Sequence, residues 1–234
     1  MASQFLWVIV PYLALVLFVA GHIWRYQHDQ FGWTSKSSEL LEKRQLCLGS
    51  LLFHWGILFV LVGHVMGILI PEPFYEALGV TEEMYHALAL AGGIPAGLAA
   101  FVGLVILFRR RLTVKRVRTT SSTGDWVALG FLLVVIASGL SSTFLNIDSH
   151  GFDYRTTIGP WFRGLLTFRP NPAYMEAVPI WFQIHILAAF GLFAVWPFTR
   201  LVHVFSFPLR YLQRSYVVYR KRMPKQAEPV NRAK

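Results

Sequence analysis

Four histidines, His54, His64, His185 and His203, stand inside two strongly apolar stretches of the chain, two in each. An imidazole in hydrocarbon is costly without a partner, so ionisable side chains at membrane depth mark functional sites. Imidazole nitrogen is also a transition-metal ligand. Two facing helices with two histidines apiece can hold two metals stacked across a bilayer. Haem suits such a site, each iron taking one histidine from each helix. The chemistry would then be one-electron transfer from one membrane face to the other. With Cys47 as the single cysteine and no C-x-x-C-H, the chain has no internal disulfide and no cysteine-held iron–sulfur or zinc site. Any haem is therefore non-covalent, of the b type. There is also no GxGxxG or Walker-type loop to cradle a nucleotide.

Those histidines need long helices to position them, and the composition supplies them. The 234 residues are 55% hydrophobic and only 15% charged, with a mean hydropathy of +0.47. A soluble domain is about one-quarter charged. Five stretches approach the roughly 20 apolar residues that cross a bilayer: Phe5–Trp24, Leu46–Ile70, His86–Phe108, Trp126–Ile147 and Pro179–Val204. The first lacks a basic leader and a small-x-small cleavage site, so it reads as a span rather than a signal peptide. The expected fold is an all-α integral membrane bundle of five transmembrane helices. Residues 1–220 form its single domain, and residues 221–234 are a polar tail of disordered composition.

The formal charge is +10, yet its distribution excludes a nucleic-acid surface. Of 22 Lys and Arg, all but Arg155, Arg163 and Arg169 fall on alternate loops of one side. That is the positive-inside pattern. It places the N-terminus outside, the C-terminus in the cytoplasm and the protein in the cell membrane as a multi-pass, lipid-embedded chain. Trp7, Trp24, Trp33, Trp126 and Trp161 lie near the span ends, where they read as interfacial anchors.

Topology gives each histidine a depth. His64 precedes Ile70 by six residues and His185 follows Pro179 by six, so both lie roughly 9 Å below the outer helix ends. They form an outer pair; by elimination, His54 and His203 form an inner one. The facing is imperfect. His185 and His203 are five full turns apart on an ideal helix, whereas His54 and His64 differ by about 80° around theirs. The axial separations also differ, about 27 Å against about 15 Å. A kink at Pro197 is the expected remedy. Singly, each could be an interhelical hydrogen-bond donor; four at paired depths are harder to explain as packing. His22, His28 and His150 lie at or beyond helix ends and read as solvated. His86 opens the third helix on the side of the outer pair. Gly93 and Gly97 have small-xxx-small spacing, which favours close helix packing. Gly56, Gly63 and Gly67 would make room for haem beside His54 and His64. A histidine-relay transporter is a competing class, but no Asp or Glu lies well inside a span, as relays usually require.

Three segments carry a family resemblance: Phe53 to Pro71 (FHWGILFVLVGHVMGILIP), Arg116 to Trp126 (RVRTTSSTGDW) and Pro197 to Leu212 (PFTRLVHVFSFPLRYL). Together with FGWTSKSSELLEKR after the first span, they resemble the gamma (cytochrome b) subunit of respiratory nitrate reductase, from about Tyr12 to Arg220. The resemblance implies five spans, an outside N-terminus and two haem b groups. It assigns His54 and His203 to the proximal haem iron and His64 and His185 to the distal one. It further implies oxidation of quinol near the outer haem and proton release outside. Electrons would pass inward to a cytoplasmic iron–sulfur (beta) subunit and then to a molybdenum catalytic (alpha) subunit, which hold the iron–sulfur clusters and the molybdenum cofactor. Arg109–Arg118 and the tail from Leu201 would dock the iron–sulfur subunit. Relatives in that family place a lysine near the start of the third helix, at the quinol pocket. Here Glu82-Glu83-Met84-Tyr85-His86 has none, and His86 is the candidate to replace it, with Gly63 beside His64 as the second candidate for the quinol site. A related dihaem cytochrome b from a sulfur-metabolism or heterodisulfide-type complex is the alternative.

Overall fold

The computed structural model describes residues 1–30, 32–34, 37–147 and 152–205. His150, the tail at 221–234 and the basic residues beyond Phe205 lie outside the described residues. Among the described residues the structure is helical, without strands. Five helices are long and apolar enough to cross a membrane: Ala2–His28, Arg44–Leu69, Glu82–Thr113, Thr123–Leu145 and Ile180–Phe198.

Most spans overrun the apolar runs that predict them, because polar residues at their ends suit helix termini. The Thr81 side chain accepts from the Met84 amide and opens the third span, with Glu82 and Glu83 in its first turn. Ser122 and Asp125 form a reciprocal capping box at the start of the fourth. Acidic groups near the N-terminus and the Arg110 and Arg111 cations near the C-terminus of the third span complement the helix dipole. The fifth span departs from expectation in the other direction. Its α-helix ends at Val195, and a 3-10 turn covers Trp196–Phe198. Thr199 is extended (φ −117°, ψ 177°), and a second 3-10 turn runs over Arg200–Val204. Pro197 has no amide hydrogen to continue the ladder, so the helix breaks there rather than bending and continuing.

The main packing order is second span on third, third on fourth, fourth on fifth and fifth on first. The second and third spans approach closest. A methyl on Gly56 would overlap the Ala100 backbone nitrogen, and one on Gly103 would overlap that of Phe53. Gly56 is thus a helix-packing residue, not space for a cofactor. Gly93 has nothing within 4 Å, so the expected Gly93–Gly97 seam contributes through Gly97 alone, against Leu140. One buried cluster gathers Ala100, Leu104, Leu129, Leu132, Ile136 and Leu192 from the third to fifth spans. A second joins Trp7, Trp161, Leu165, Ile186 and Phe190, seating the amphipathic helix Ile158–Leu166 across the ends of the first and fifth spans.

Guanidinium groups fasten both ends. Arg110, 3% exposed, donates to the Glu42 carboxylate at 2.7 Å and to Ser38. Arg111 bonds Ser121 and pairs with Asp125 at 3.1 Å. The Gln45 amide first, then Arg110, holds the Glu42 carboxyl below its usual range. Within the basic loop expected to dock a partner, these two arginines are therefore internal ties, and Arg109, Lys115, Arg116 and Arg118 are its exposed cations. At the other end Arg155, also buried, pairs with Asp153 at 2.7 Å and Glu72 at 3.7 Å and lies over the Tyr85 ring. Burial opposes the Arg155 charge, but Asp153 and Glu72 outweigh it and raise its pKa.

Candidate functional site

The structure brings His64 to His185 with ring centroids 6.0 Å apart and an interplanar angle of 38°. It brings His54 to His203 at 6.1 Å and 69°. The first pair bridges the second and fifth spans and the second joins the second span to the turn that follows the fifth; the two spans otherwise connect mainly through the third and fourth. The spacing fits two axial ligands on one metal. A metal–imidazole bond of about 2 Å and about 1.1 Å from nitrogen to ring centre, on each side, place two such centroids about 6 Å apart. Among the described residues no three His, Cys, Asp or Glu side chains converge. Each pair thus offers two axial ligands rather than a full protein cage, which suits a metal that brings its own equatorial ligands.

Tautomers point the same way. His54 Nδ1 lies 2.7 Å from the Ser50 carbonyl, His64 Nδ1 2.8 Å from that of Val60 and His203 Nδ1 2.8 Å from that of Arg200. His185 Nδ1 lies 2.9 Å from the Val135 carbonyl on the fourth span. A carbonyl only accepts, so each Nδ1 carries the hydrogen and each Nε2 the lone pair that a metal needs. His28, at the end of the first span, and His22, within it, make the same contact, to Trp24 and Phe18; His22 is not the solvated group expected, since its Nε2 is buried. The Nδ1 bond alone is therefore not diagnostic; it becomes so with a facing imidazole. His54 and His64 are exposed within an apolar span, where an imidazole calls for a partner.

The break after Val195 explains the inner pair. Ideal-helix arithmetic carries His203 about 27 Å from His185, too far to match His54 and His64. The Thr199 break and the following 3-10 turn bring His203 against His54 instead. Thr199 fixes that turn: its hydroxyl accepts from the Leu201 amide and donates to the Trp196 carbonyl.

Glycines beside the pairs differ in role. A Cβ on Gly63 would have nothing within 4 Å, so the helix surface at that position is open. Gly67 lies under Tyr85 and Tyr154, so it serves aromatic packing rather than cofactor space. Sequence reasoning missed the fourth span's part. A Cβ on Gly139 would sit 2.9 Å from His185 Cε1, and Ser138 Oγ lies 3.3 Å from His185 Nδ1. The small-residue run around Ser138 and Gly139 was the available signal.

His86 does not join either pair. It lines a shallow cleft, open to solvent, with Glu82, Tyr85, Asn146, Asp153, Tyr154 and Arg155. His86 Nε2 lies 2.9 Å from the Ile147 carbonyl, so Nε2 carries the hydrogen and Nδ1 is the basic nitrogen. Burial pushes the Tyr154 phenol up from its ordinary value.

Comparison with known proteins identifies the family. Residues 3–222 match the family described as nitrate reductase gamma subunit. The chain is 63% identical to the nitrate reductase gamma chain of Bacillus subtilis over 95% of its own length and 100% of that protein. It is 34% identical to the respiratory nitrate reductase 1 gamma chain of Escherichia coli, over 94% and 98% of the two chains. The Hdr-like menaquinol oxidoreductase cytochrome b-like subunit of Archaeoglobus fulgidus is more distant, 32% identical over 72% of this chain and 51% of its own. With five membrane-crossing helices and a match over nearly its whole length, the chain belongs to the nitrate reductase gamma subunit family, multi-pass membrane subunits of an oxidoreductase complex.

Proposed function

We propose that this chain oxidises quinol at its outer end and holds two haem b groups, one between His64 and His185 and one between His54 and His203. The observation that carries this reading is the pair of imidazole facings at 6.0 and 6.1 Å, each with Nδ1 tied to a carbonyl. When bound, the haems supply one-electron redox chemistry across the membrane. The chain's own residues set ligand tautomer and orientation and handle protons.

Quinol oxidation releases two protons. His86 suits the first acceptor, because its Nε2–H is committed to Ile147 and its Nδ1 is left basic. Glu82 lines the same cleft and offers a carboxylate, whereas that of Asp153 is held by Arg155. The open helix surface at Gly63 is accessible to a flat ring. The quinol named in the Archaeoglobus relative supports the substrate class. On the basic side, the exposed Arg109, Lys115, Arg116 and Arg118 are suited to dock an iron–sulfur subunit that passes electrons to a molybdenum subunit. The charge asymmetry supports placing that side in the cytoplasm and the N-terminus outside.

A pyridine haemochrome assay on the purified complex tests the reading. Two b haems for each copy of this chain are expected. Zero or one in fully loaded protein would overturn it.

A further inference from the structure

We infer that Gly139 and Ser138 of the fourth span, with the Val135 carbonyl, are positioning residues for His185 and thereby set the properties of the outer site alone. The inference rests on the reading of His185 as a haem ligand and adds residues that lie on neither ligand-bearing helix.

Three of the four histidines bind a carbonyl three or four residues earlier in their own helix or turn. Their ring orientation is local and follows the backbone. His185 differs: its Nδ1–H reaches Val135, fifty residues earlier and on a different span, at 2.9 Å. Ser138 Oγ donates to that same carbonyl at 3.0 Å and lies 3.3 Å from His185 Nδ1, where its lone pair can share the imidazole hydrogen. The floor beneath the ring is Gly139. A Cβ there would stand 2.9 Å from Cε1 and 3.1 Å from Nδ1. An imidazole is rigid and has no flexible end to swing aside, so even a methyl must turn the ring or part the two spans. Either movement weakens the Nδ1–H···O=C bond.

Such a bond fixes the tautomer and ring orientation of a ligating histidine and raises its basicity as a ligand. Near the inner pair, Ser50 Oγ also lies 3.1 Å from His54 Nδ1, but within one helix. Among the described residues, His185 is the ligand whose Nδ1 is held from another span. Changes at Gly139 and Ser138 are therefore read at one site and not at the other.

The test uses the intact complex carrying Gly139→Ala, Ser138→Ala or Ser138→Thr, with haem content, a redox titration of the two spectral components and electron paramagnetic resonance of the ferric state. Gly139→Ala is expected to lose the outer haem or change its resonance signature while the inner component is unmoved. Ser138→Ala should retain both haems and shift the outer midpoint only, with Ser138→Thr closer to wild type because it keeps the hydroxyl. Both haems present with an unshifted outer component in Ser138→Ala and an unaltered signature in Gly139→Ala would overturn the inference. Equal shifts of both components would overturn it too, by showing a general structural effect. Should Gly139→Ala fail to assemble, the Ser138 pair decides alone. Fewer than two haems in the wild type would instead retire the ligand reading itself.

Discussion

The two histidine pairs reach nearly the same separation by different structural means. At the outer pair both residues sit in α-helix, with His64 one residue before a π turn and His185 in the second turn of its span. Orientation there is shared between spans, through Val135 and Gly139. At the inner pair His54 lies in regular helix, but His203 sits on a 3-10 turn beyond a break. Orientation there is local, set by Ser50, Arg200 and the Thr199 turn. The ring planes differ accordingly, 38° outside and 69° inside. One site thus depends on helix packing and the other on a turn. Each should answer to its own set of substitutions.

The largest effect breaks or upholds the pairing itself. Replacing His64 or His185 with Leu should remove one b-type spectral component, and replacing His54 or His203 the other, each halving haem content. Membranes from the four variants, compared by reduced-minus-oxidised spectra, give the answer directly. If the His54 and His185 variants lost the same component, the two regions could not be treated as separate sites.

A kinetic change of smaller extent should distinguish the ends by substrate. His86→Gln keeps a donor for the Ile147 carbonyl but removes the basic nitrogen. General acid–base groups contribute on the order of 10²–10⁴-fold, so quinol-driven reduction should slow by at least about 10²-fold. Reduction by dithionite, which needs no proton acceptor in the cleft, should be unchanged, and both haems should remain. Unaltered quinol kinetics would remove His86 from the outer site and leave the open side of Gly63 as the place to look.

Much of this arrangement was legible from residue pattern, for reasons that differ between the two regions. Uninterrupted apolar runs fix the number of spans, and the starts of the third and fourth shift because Thr81 and the Ser122–Asp125 box extend helices into polar sequence. Depth counting works for His64 and His185 because helix runs unbroken from each to its outer end, as a π turn over Val65–Leu69 and as α-helix from Ile180. The same counting misplaces His203, since Pro197 ends the α-helix and the chain leaves the helix axis at the extended Thr199 before the 3-10 turn that carries His203. Contacts across spans leave no periodic trace. Nothing in the spacing of Val135 and His185 announces their bond, and an Arg109-Arg110-Arg111 run reads as a solvated loop until the third span carries two of the three inward.

The smallest expected effect tests whether the inner site truly rests on its turn. Thr199 is 3% exposed and holds the segment before His203 by two bonds: its hydroxyl accepts from the Leu201 amide at 3.3 Å and donates to the Trp196 carbonyl at 2.9 Å. Thr199→Val preserves the shape and deletes both. Loss of such a capping hydroxyl costs about 1 kcal/mol, too little to unfold a five-span bundle but enough to loosen one turn. Both haems should therefore stay bound. The inner spectral component should broaden or shift its midpoint, while the outer component, which is held through Val135 on another span, keeps its own. An outer component that moved as far as the inner would mean that the two sites share one rigid frame, and the division between a packed region and a turn-held region would fail.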